Sequence, residues 1–351
     1  DTDGKGKPTQ LTKDRANDRH PKWSADGKSI FVLANRVKSG EKAPLNGKTQ
    51  VWKVSVDGGD PVAVTKVGAG ITGYVYAPKA DAVFYSVDAT TTDEDDFAAL
   101  RKKFDKPEYG SGKRTVSELF RVEKEGKPAQ VIADKRYIRE FAVTHDGKRI
   151  AMVSAFDDTV LKSEGESRVD VWEAGKVTTP PTDSYRKNPK NSPYAWLENL
   201  CWNMDGTRFA FTAVYDAFPC ELILGTFRES SWSTRALERK TTSQKDWSVA
   251  GYGRAFGATV TFSEKSDRLF VVTESNGSTG LSTIDPVFSQ DGTKELFNHA
   301  MLSTGTGNLL GHSHRELVYC NLVDSGSSFN DIYHDRIPLT NSNPHTSNWK
   351  L

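Results

Sequence analysis

Trp23-Ser24-Ala25-Asp26-Gly27-Lys28-Ser29-Ile30-Phe31-Val32 decides the architecture. It reads as the end of one strand, a tight turn, and a second, apolar strand. The Asp-Gly pair suits the turn, because glycine takes a positive φ without a Cβ clash and aspartate bonds its own nearby backbone. The pattern returns as Val143-Thr144-His145-Asp146-Gly147-Lys148-Arg149-Ile150-Ala151-Met152 and as Trp202-Asn203-Met204-Asp205-Gly206-Thr207-Arg208-Phe209-Ala210-Phe211. Degenerate copies begin at Tyr76 (Ala77-Pro78-Lys79-Ala80-Asp81), Phe262 (Ser263-Glu264-Lys265-Ser266-Asp267) and Leu310 (Gly311-His312-Ser313-His314-Arg315). Six copies therefore start near 23, 76, 143, 202, 262 and 310, about 57 residues apart.

A second motif sits late in the units. Val56-Asp57-Gly58-Gly59-Asp60-Pro61-Val62 and Val122-Glu123-Lys124-Glu125-Gly126-Lys127-Pro128 both read as strand, turn, strand, and Phe288-Ser289-Gln290-Asp291-Gly292 is a looser version. Each unit thus holds four short strands joined by hairpins, which predicts an all-β chain and a β-propeller of six complete four-stranded blades. The second strands (Ile30 to Ala34, Phe209 to Ala213, Leu269 to Thr273) are continuous apolar runs, as expected where neighbouring blades bury both faces. Asp1-Thr2-Asp3-Gly4 through Leu11-Thr12 matches the late motif, which predicts a partial N-terminal blade. Two closures compete: a six-bladed ring sealed by an extra strand, and a seven-bladed parent lacking its first strands. The second is the expectation. The propeller is placed over residues 1–341, with 342–351 as a linker.

Blade two carries the longest interval. Its Thr92-Asp93-Glu94-Asp95-Asp96-Phe97-Ala98-Ala99-Leu100-Arg101-Lys102-Lys103-Phe104 predicts a short helix within an insertion over 92–113, with acids at the start and bases at the end to suit the helix dipole. The plain reading is a helix covering a blade face. The functional reading projects Glu94, Asp95 or Asp96 toward a cationic group. Residues 185–196, with Arg186, Lys187 and Lys190, read as a surface loop.

Composition bounds the rest. In 351 residues, 47 Lys and Arg balance 46 Asp and Glu, which argues against a binder of nucleic acid or membrane surface driven by bulk charge. No apolar stretch approaches the roughly 18–20 residues that span a bilayer. The chain opens on Asp1, so a trimmed N-terminus is expected and the compartment stays open between cytoplasmic and exported. Three cysteines are too sparse for a disulfide framework. Cys201 and Cys220 fall on the first and third strands of one sheet, roughly 10 Å apart at strand spacing, which disfavours pairing.

Familiar catalytic patterns are missing. There is no Gly-x-Ser-x-Gly elbow, phosphate loop, HExxH or paired Cys motif. His312 and His314 read as turn residues rather than ligands. No catalytic residue, metal or cofactor is expected in this chain.

The Ser-x-Asp-Gly-Lys turns resemble the TolB-type propeller repeat. The insertion with Glu108-Tyr109-Gly110-Ser111-Gly112-Lys113-Arg114 and the closing Leu339-Thr340-Asn341-Ser342-Asn343-Pro344 and Asn348-Trp349-Lys350 are similar to the N-terminal propeller of the prolyl oligopeptidase family, especially its dipeptidyl-peptidase and acylaminoacyl-peptidase branches. The resemblance implies a capping domain that gates peptide access to a C-terminal α/β-hydrolase domain absent here, so no triad residue carries over. It also implies, from position alone, that Glu94 and Asp95 anchor a substrate amine. Peptides and that hydrolase domain are the expected partners. The alternatives are a stand-alone TolB-like interaction propeller and an enzyme centred in the propeller channel.

Overall fold

The structure, a computed structural model, describes residues 9–38, 41–89, 116–123, 126–155, 167–186, 195–215, 218–239, 247–249, 260–275, 278–288, 295–304, 306–312, 317–322, 330–334 and 337–338. Among them every regular element is a strand. The chain divides into two compact units, one of Pro8–Thr179 and the other beginning at Pro180.

The first unit opens with an antiparallel meander of β1 (Arg19–Trp23), β2 (Ser29–Ala34), β3 (Gln50–Ser55) and β4 (Val62–Ala63), paired in that order. The next sheet has seven strands: β5 (Gly73–Ala77), β6 (Ala82–Ala89), β7 (Val116–Glu123), β8 (Ala129–Val143), β9 (Arg149–Ala155), β10 (Arg168–Glu173) and β11 (Lys176–Thr178). Strand β8 runs for 15 residues and serves two meanders. Up to Arg136 it pairs with β7, and from Tyr137 onward it pairs with β9.

The second unit continues the plan. Strands β12 (Trp196–Trp202), β13 (Arg208–Tyr215), β14 (Phe218–Arg228) and β15 (Ser231–Ala236) form one meander. Two short strands follow, β16 (Glu238–Arg239) and β17 (Trp247–Val249), then the meander of β18 (Val260–Phe262), β19 (Leu269–Ser275), β20 (Ser278–Phe288) and β21 (Glu295–Thr304). Because β17 pairs with both β14 and β19, these meanders share one sheet. A last meander holds β22 (Thr306–His312), β23 (Leu317–Leu322), β24 (Asn330–His334) and β25 (Ile337–Pro338).

The repeated turn forms as its chemistry dictates. Gly27, Gly147 and Gly206 take φ of 67°, 70° and 72°. The Gly27 N–H donates to Ser24 O at 3.0 Å, the Gly147 N–H to Thr144 O at 2.8 Å and the Gly206 N–H to Asn203 O at 3.2 Å. Asp26 Oδ1 accepts the Lys28 N–H, Asp146 Oδ1 that of Lys148, and Asp205 Oδ1 that of Thr207. The residue opening each turn closes the loop as well: Ser24 Oγ, Thr144 Oγ1 and Asn203 Oδ1 each accept a backbone N–H five residues on, at 3.0 Å. In the degenerate copy Asp81 takes the left-handed conformation itself, at φ 44°.

Continuous apolar strands are buried on both faces. Phe31 and Leu33 of β2 join a core with Tyr74, Tyr76, Val83 and Tyr85 of the next meander, while Val32 and Ala34 pack with Trp52 and Val54 of their own. Strand β6 does likewise, turning Val83 and Tyr85 to that first core and Ala82 and Phe84 to another with Leu119, Ile150 and Met152. Burying each such side chain contributes about 1.5–3 kcal/mol, so these two-sided strands dominate the hydrophobic stabilisation.

Two sequence expectations need correction. The stretch 185–196 is not a simple surface loop at its ends. Tyr185 is fully buried, edge-on to Phe211 at 5.2 Å, and its carbonyl accepts the Tyr215 hydroxyl at 3.1 Å. Arg186 lies over the Tyr185 ring and donates to Ala195 O. His312 closes β22 rather than sitting in a turn, because the ladder with β23 extends to the His312–Leu317 pair. Cys201 and Cys220 lie on β12 and β14 with β13 between them and form no disulfide. The opening hairpin up to residue 8, the insertion over 92–113 and the linker over 342–351 lie outside the described residues.

Candidate functional site

A cleft of about 690 Å³ opens in the Pro8–Thr179 unit, where β1, β5 and the second half of β8 run as the first strands of their meanders. Its walls come from His20 on β1, Thr72 and Tyr74 at β5, Ser86 and Asp88 on β6, Ser117 on β7, and Tyr137 to Phe141 on β8.

Two β-bulges shape it. In β1 the ladder jumps between Arg19 and Lys22, leaving His20 and Pro21 as the extra residues, with His20 at φ 51°. A bulge re-aims a side chain, and a proline tolerates one because it has no N–H to offer the ladder. In β8 the jump between Ile138 and Glu140 sets Arg139 apart. The second unit repeats the device in β12, where Asn199 takes φ 62° between the Glu198 and Cys201 pairs. His20 and Asn199 stand at the same distance before their turn aspartates, Asp26 and Asp205.

Tyrosines from β5 hold the β1 bulge in place. The Tyr74 hydroxyl lies 2.6 Å from His20 O and 2.9 Å from Phe31 O, and donates its proton between them. Burial pushes its pKa up, so it stays a donor throughout the physiological range. Two residues on, Tyr76 stacks on Phe31 at 4.5 Å, accepts the Ala25 N–H and donates to Asp81. Strained backbone of this kind persists only where its surroundings over-determine it.

The electrostatics of the cleft are uneven. Partial burial, with Arg19 and Lys22 beside it, pushes the His20 pKa down and favours the neutral imidazole. Partial burial raises the Asp88 pKa, and no cation or hydrogen-bond donor among the described residues meets its carboxylate. Thr72 Oγ1 and Ser86 Oγ share a proton at 2.6 Å. Hydroxyls, charged groups of both signs and aromatic walls line it together. No group of three or more His, Cys, Asp or Glu within reach of a shared metal occurs among the described residues.

None of these wall residues was marked by the sequence motifs. The local sign that could have pointed to it is His20-Pro21, a proline inside an otherwise strand-like stretch, which sequence reasoning passed over. Glu94 and Asp95, the expected amine anchor, lie outside the described residues.

No family model and no curated protein matches this sequence. Solved structures do. The acylaminoacyl peptidase of Pyrococcus horikoshii overlaps with a TM-score of 0.54 at 12% identity, covering 92% of this chain and 45% of that protein. A prolyl endopeptidase overlaps at 0.53 and 12% identity, covering 92% and 42%. The chain shares its fold with the corresponding part of these two peptidases. TolB from Acinetobacter baumannii gives 0.47 at 12% identity, covering 88% of this chain and 62% of that one. The chain therefore spans less than two thirds of the length of each of these proteins. Among the described residues no helix is long and apolar enough to cross a membrane.

Proposed function

We propose that this chain is the non-catalytic propeller domain of a prolyl-oligopeptidase-like serine peptidase, capping an α/β-hydrolase domain and gating peptide access to it. The observation that carries this reading is the asymmetric overlap: 92% of this chain corresponds to only 45% of an acylaminoacyl peptidase and 42% of a prolyl endopeptidase. The Leu339-Thr340-Asn341 and Asn348-Trp349-Lys350 segments, which resemble the stretch that follows the last blade in that family, support it. In this reading the four-stranded meanders are blades of one ring, six here and seven in the parent, and the ring admits unfolded peptides while excluding folded proteins. Glu94 and Asp95 would hold the peptide's α-ammonium, since a partly desolvated carboxylate favours a charged amine.

The test begins with the reading frame beyond Leu351. A downstream Gly-x-Ser-x-Gly with later Asp and His is expected. The contiguous protein should cleave dipeptidyl or acyl-peptide reporters, and this chain alone should cleave neither. A stop codon at that point, or hydrolysis by the isolated chain, overturns the reading. In the active protein, Glu94→Gln with Asp95→Asn should weaken substrates with a free N-terminus more than blocked ones; equal losses dismiss the anchor.

A further inference from the structure

We propose that residues 9–18 form a releasable strap over the apolar face of the first meander, with Arg36 as its latch. This segment ahead of β1 has no regular secondary structure, yet its Leu11 and Ala16 pack against Val32, Ala34, Trp52 and Val54. Arg36, just past β2 and 5% exposed, holds it: Nε lies 2.8 Å from Asp14 Oδ2, and Nη2 lies 2.7 Å from Asp18 Oδ1. The guanidinium also sits over the Trp52 ring at 4.9 Å, and the Trp52 indole N–H is tied to Ala34 O at 3.1 Å. A planar fork seated in this way grips two carboxylates of the strap at once, through contacts roughly twice as strong as neutral hydrogen bonds.

The repeat shows what kind of surface the strap covers. Trp23 pairs with Ile30 across its turn, as Tyr76 does with Val83, Val143 with Ile150 and Phe262 with Leu269. In those three later meanders the face bearing the pair is packed by the meander before it. Tyr76 and Val83 share a core with Phe31 and Leu33, Val143 and Ile150 with Phe84 and Leu119, and Phe262 and Leu269 with Ala210 and Leu224. On the first meander the same face carries Ile30, Val32 and Val54, and Leu11 and Ala16 of the strap stand where the others receive a neighbouring sheet. The strap is a narrower cover. Trp23 stays 61% exposed, against 8% for Tyr76, 7% for Val143 and 3% for Phe262.

Its attachment allows it to open apart from the sheet beneath. The strap joins no strand ladder, and Lys13, Asp14, Arg15 and Asn17 on it are exposed. Segments with few buried apolar contacts open locally at a fraction of the free energy of global unfolding. When it lifts, the Asp14 and Asp18 side chains, already 43% and 21% exposed, pass readily into water, while Arg36 gives up both partners. Release therefore uncovers an apolar sheet face of the same make as those that other meanders bury against a neighbour.

The strap is independent of the hydrolase reading, because it concerns an opening within this chain itself. Trypsin reads that opening directly, since Lys13 and Arg15 lie exposed on the strap. Cleavage after either residue in the folded full chain is followed by mass spectrometry and compared with a synthetic peptide of residues 9–18. The wild-type chain should be cut at least about tenfold more slowly than the peptide, at a rate that tracks the open population. Arg36→Met, which keeps much of the bulk and removes the charge, should be cut at least about tenfold faster than wild type, with the rest of the chain still intact. Leu11→Ala, which loosens the apolar anchor instead, should also be cut faster than wild type. Should Arg36→Met fail to fold, Asp14→Asn combined with Leu11→Ala carries the same test from the strap side. Cleavage of wild type as fast as the peptide, equal rates in wild type and the variants, or cleavage in the strap only together with cleavage throughout the chain overturns the assignment.

Discussion

Replacing Asp170 with alanine should be among the most damaging single changes in the first unit. Asp170 on β10 is 1% exposed and Arg136 on β8 is 2% exposed. Its Oδ2 takes the Arg136 guanidinium at 2.8 Å and the Ser154 hydroxyl at 2.6 Å, and its Oδ1 takes Arg168 at 3.0 Å and the Thr179 hydroxyl at 2.5 Å. Four donors from β8, β9, β10 and the segment after β11 thus converge on one carboxylate. Alanine strips all four and takes the buried carboxylate away from the Arg136 guanidinium. Arg168 suffers less, because its side chain is 28% exposed and reaches water. Breaking a buried pair from one side costs about 3–5 kcal/mol. That is a large part of the roughly 5–15 kcal/mol that holds a typical domain together. For a unit of this size it amounts to a fall in Tm of roughly 10 °C. Urea unfolding followed by tryptophan fluorescence is the assay, since Trp172 lies two residues from Asp170 on the same strand. In Arg136→Met with Asp170→Ala both partners of the pair are gone, so the double variant should lose at least about 1.5 kcal/mol less than the sum of the singles. A single-variant loss below about 1 kcal/mol, or strictly additive losses, refutes the reasoning.

Gly225 lies under the Phe209 ring, where an added Cβ would sit 2.1 Å from Cζ, so Gly225→Ala should cost about 3 kcal/mol by thermal melting, and adding Phe209→Leu should recover part of it. Gly27 and Gly147 share a positive φ, but only a Cβ at Gly147 meets neighbours, Ala80 at 3.1 Å and Phe84 at 3.4 Å. Gly147→Ala should therefore melt below Gly27→Ala, and equal losses would show that backbone strain alone matters. Tyr74→Phe removes the hydroxyl that clamps His20 and should cost about 1 kcal/mol while sharpening the pH response of His20 in NMR toward that of an unrestrained histidine. The Asp146 carboxyl is destabilised by partial burial but more than compensated by Thr144 and Lys148, which together hold its pKa below the ordinary 3.8. A depressed folded-state pKa gives stability that is present above 3.8 and lost as pH falls through the folded value. Asp146→Asn keeps the acceptor oxygen without the titration, so its Tm should fall less than that of the wild type on acidification; parallel curves would dismiss the contribution.

The turns were legible because their chemistry is local. Each needs only a polar opener, an aspartate and a glycine within six residues, and the positive φ at Gly27, Gly147 and Gly206 follows from those residues alone. The continuous apolar strands were legible for a similar reason: Ile30 to Ala34 has no polar face, so both faces must be covered whatever the partner. The ends of the 185–196 segment were misread because Tyr185 and Arg186 have no periodic context. Their burial is set by Phe211, Tyr215 and Ala195, which lie elsewhere in the chain.

The candidate site was not legible at all. Its walls are drawn from residues 20, 72 to 74, 86 to 88, 117 and 137 to 141, and they meet only because three first strands run side by side. The sequence by itself determined the element type, the repeat and the turn geometry, since these depend on backbone conformations that neighbouring residues impose. Tertiary structure alone decided where β1 and β8 bulge, that Tyr74 grips His20, and that Asp88 lines one cleft with Tyr137 and Phe141. Ladder register, desolvation and charge balance are sums over residues distant in the chain, and no local pattern encodes them.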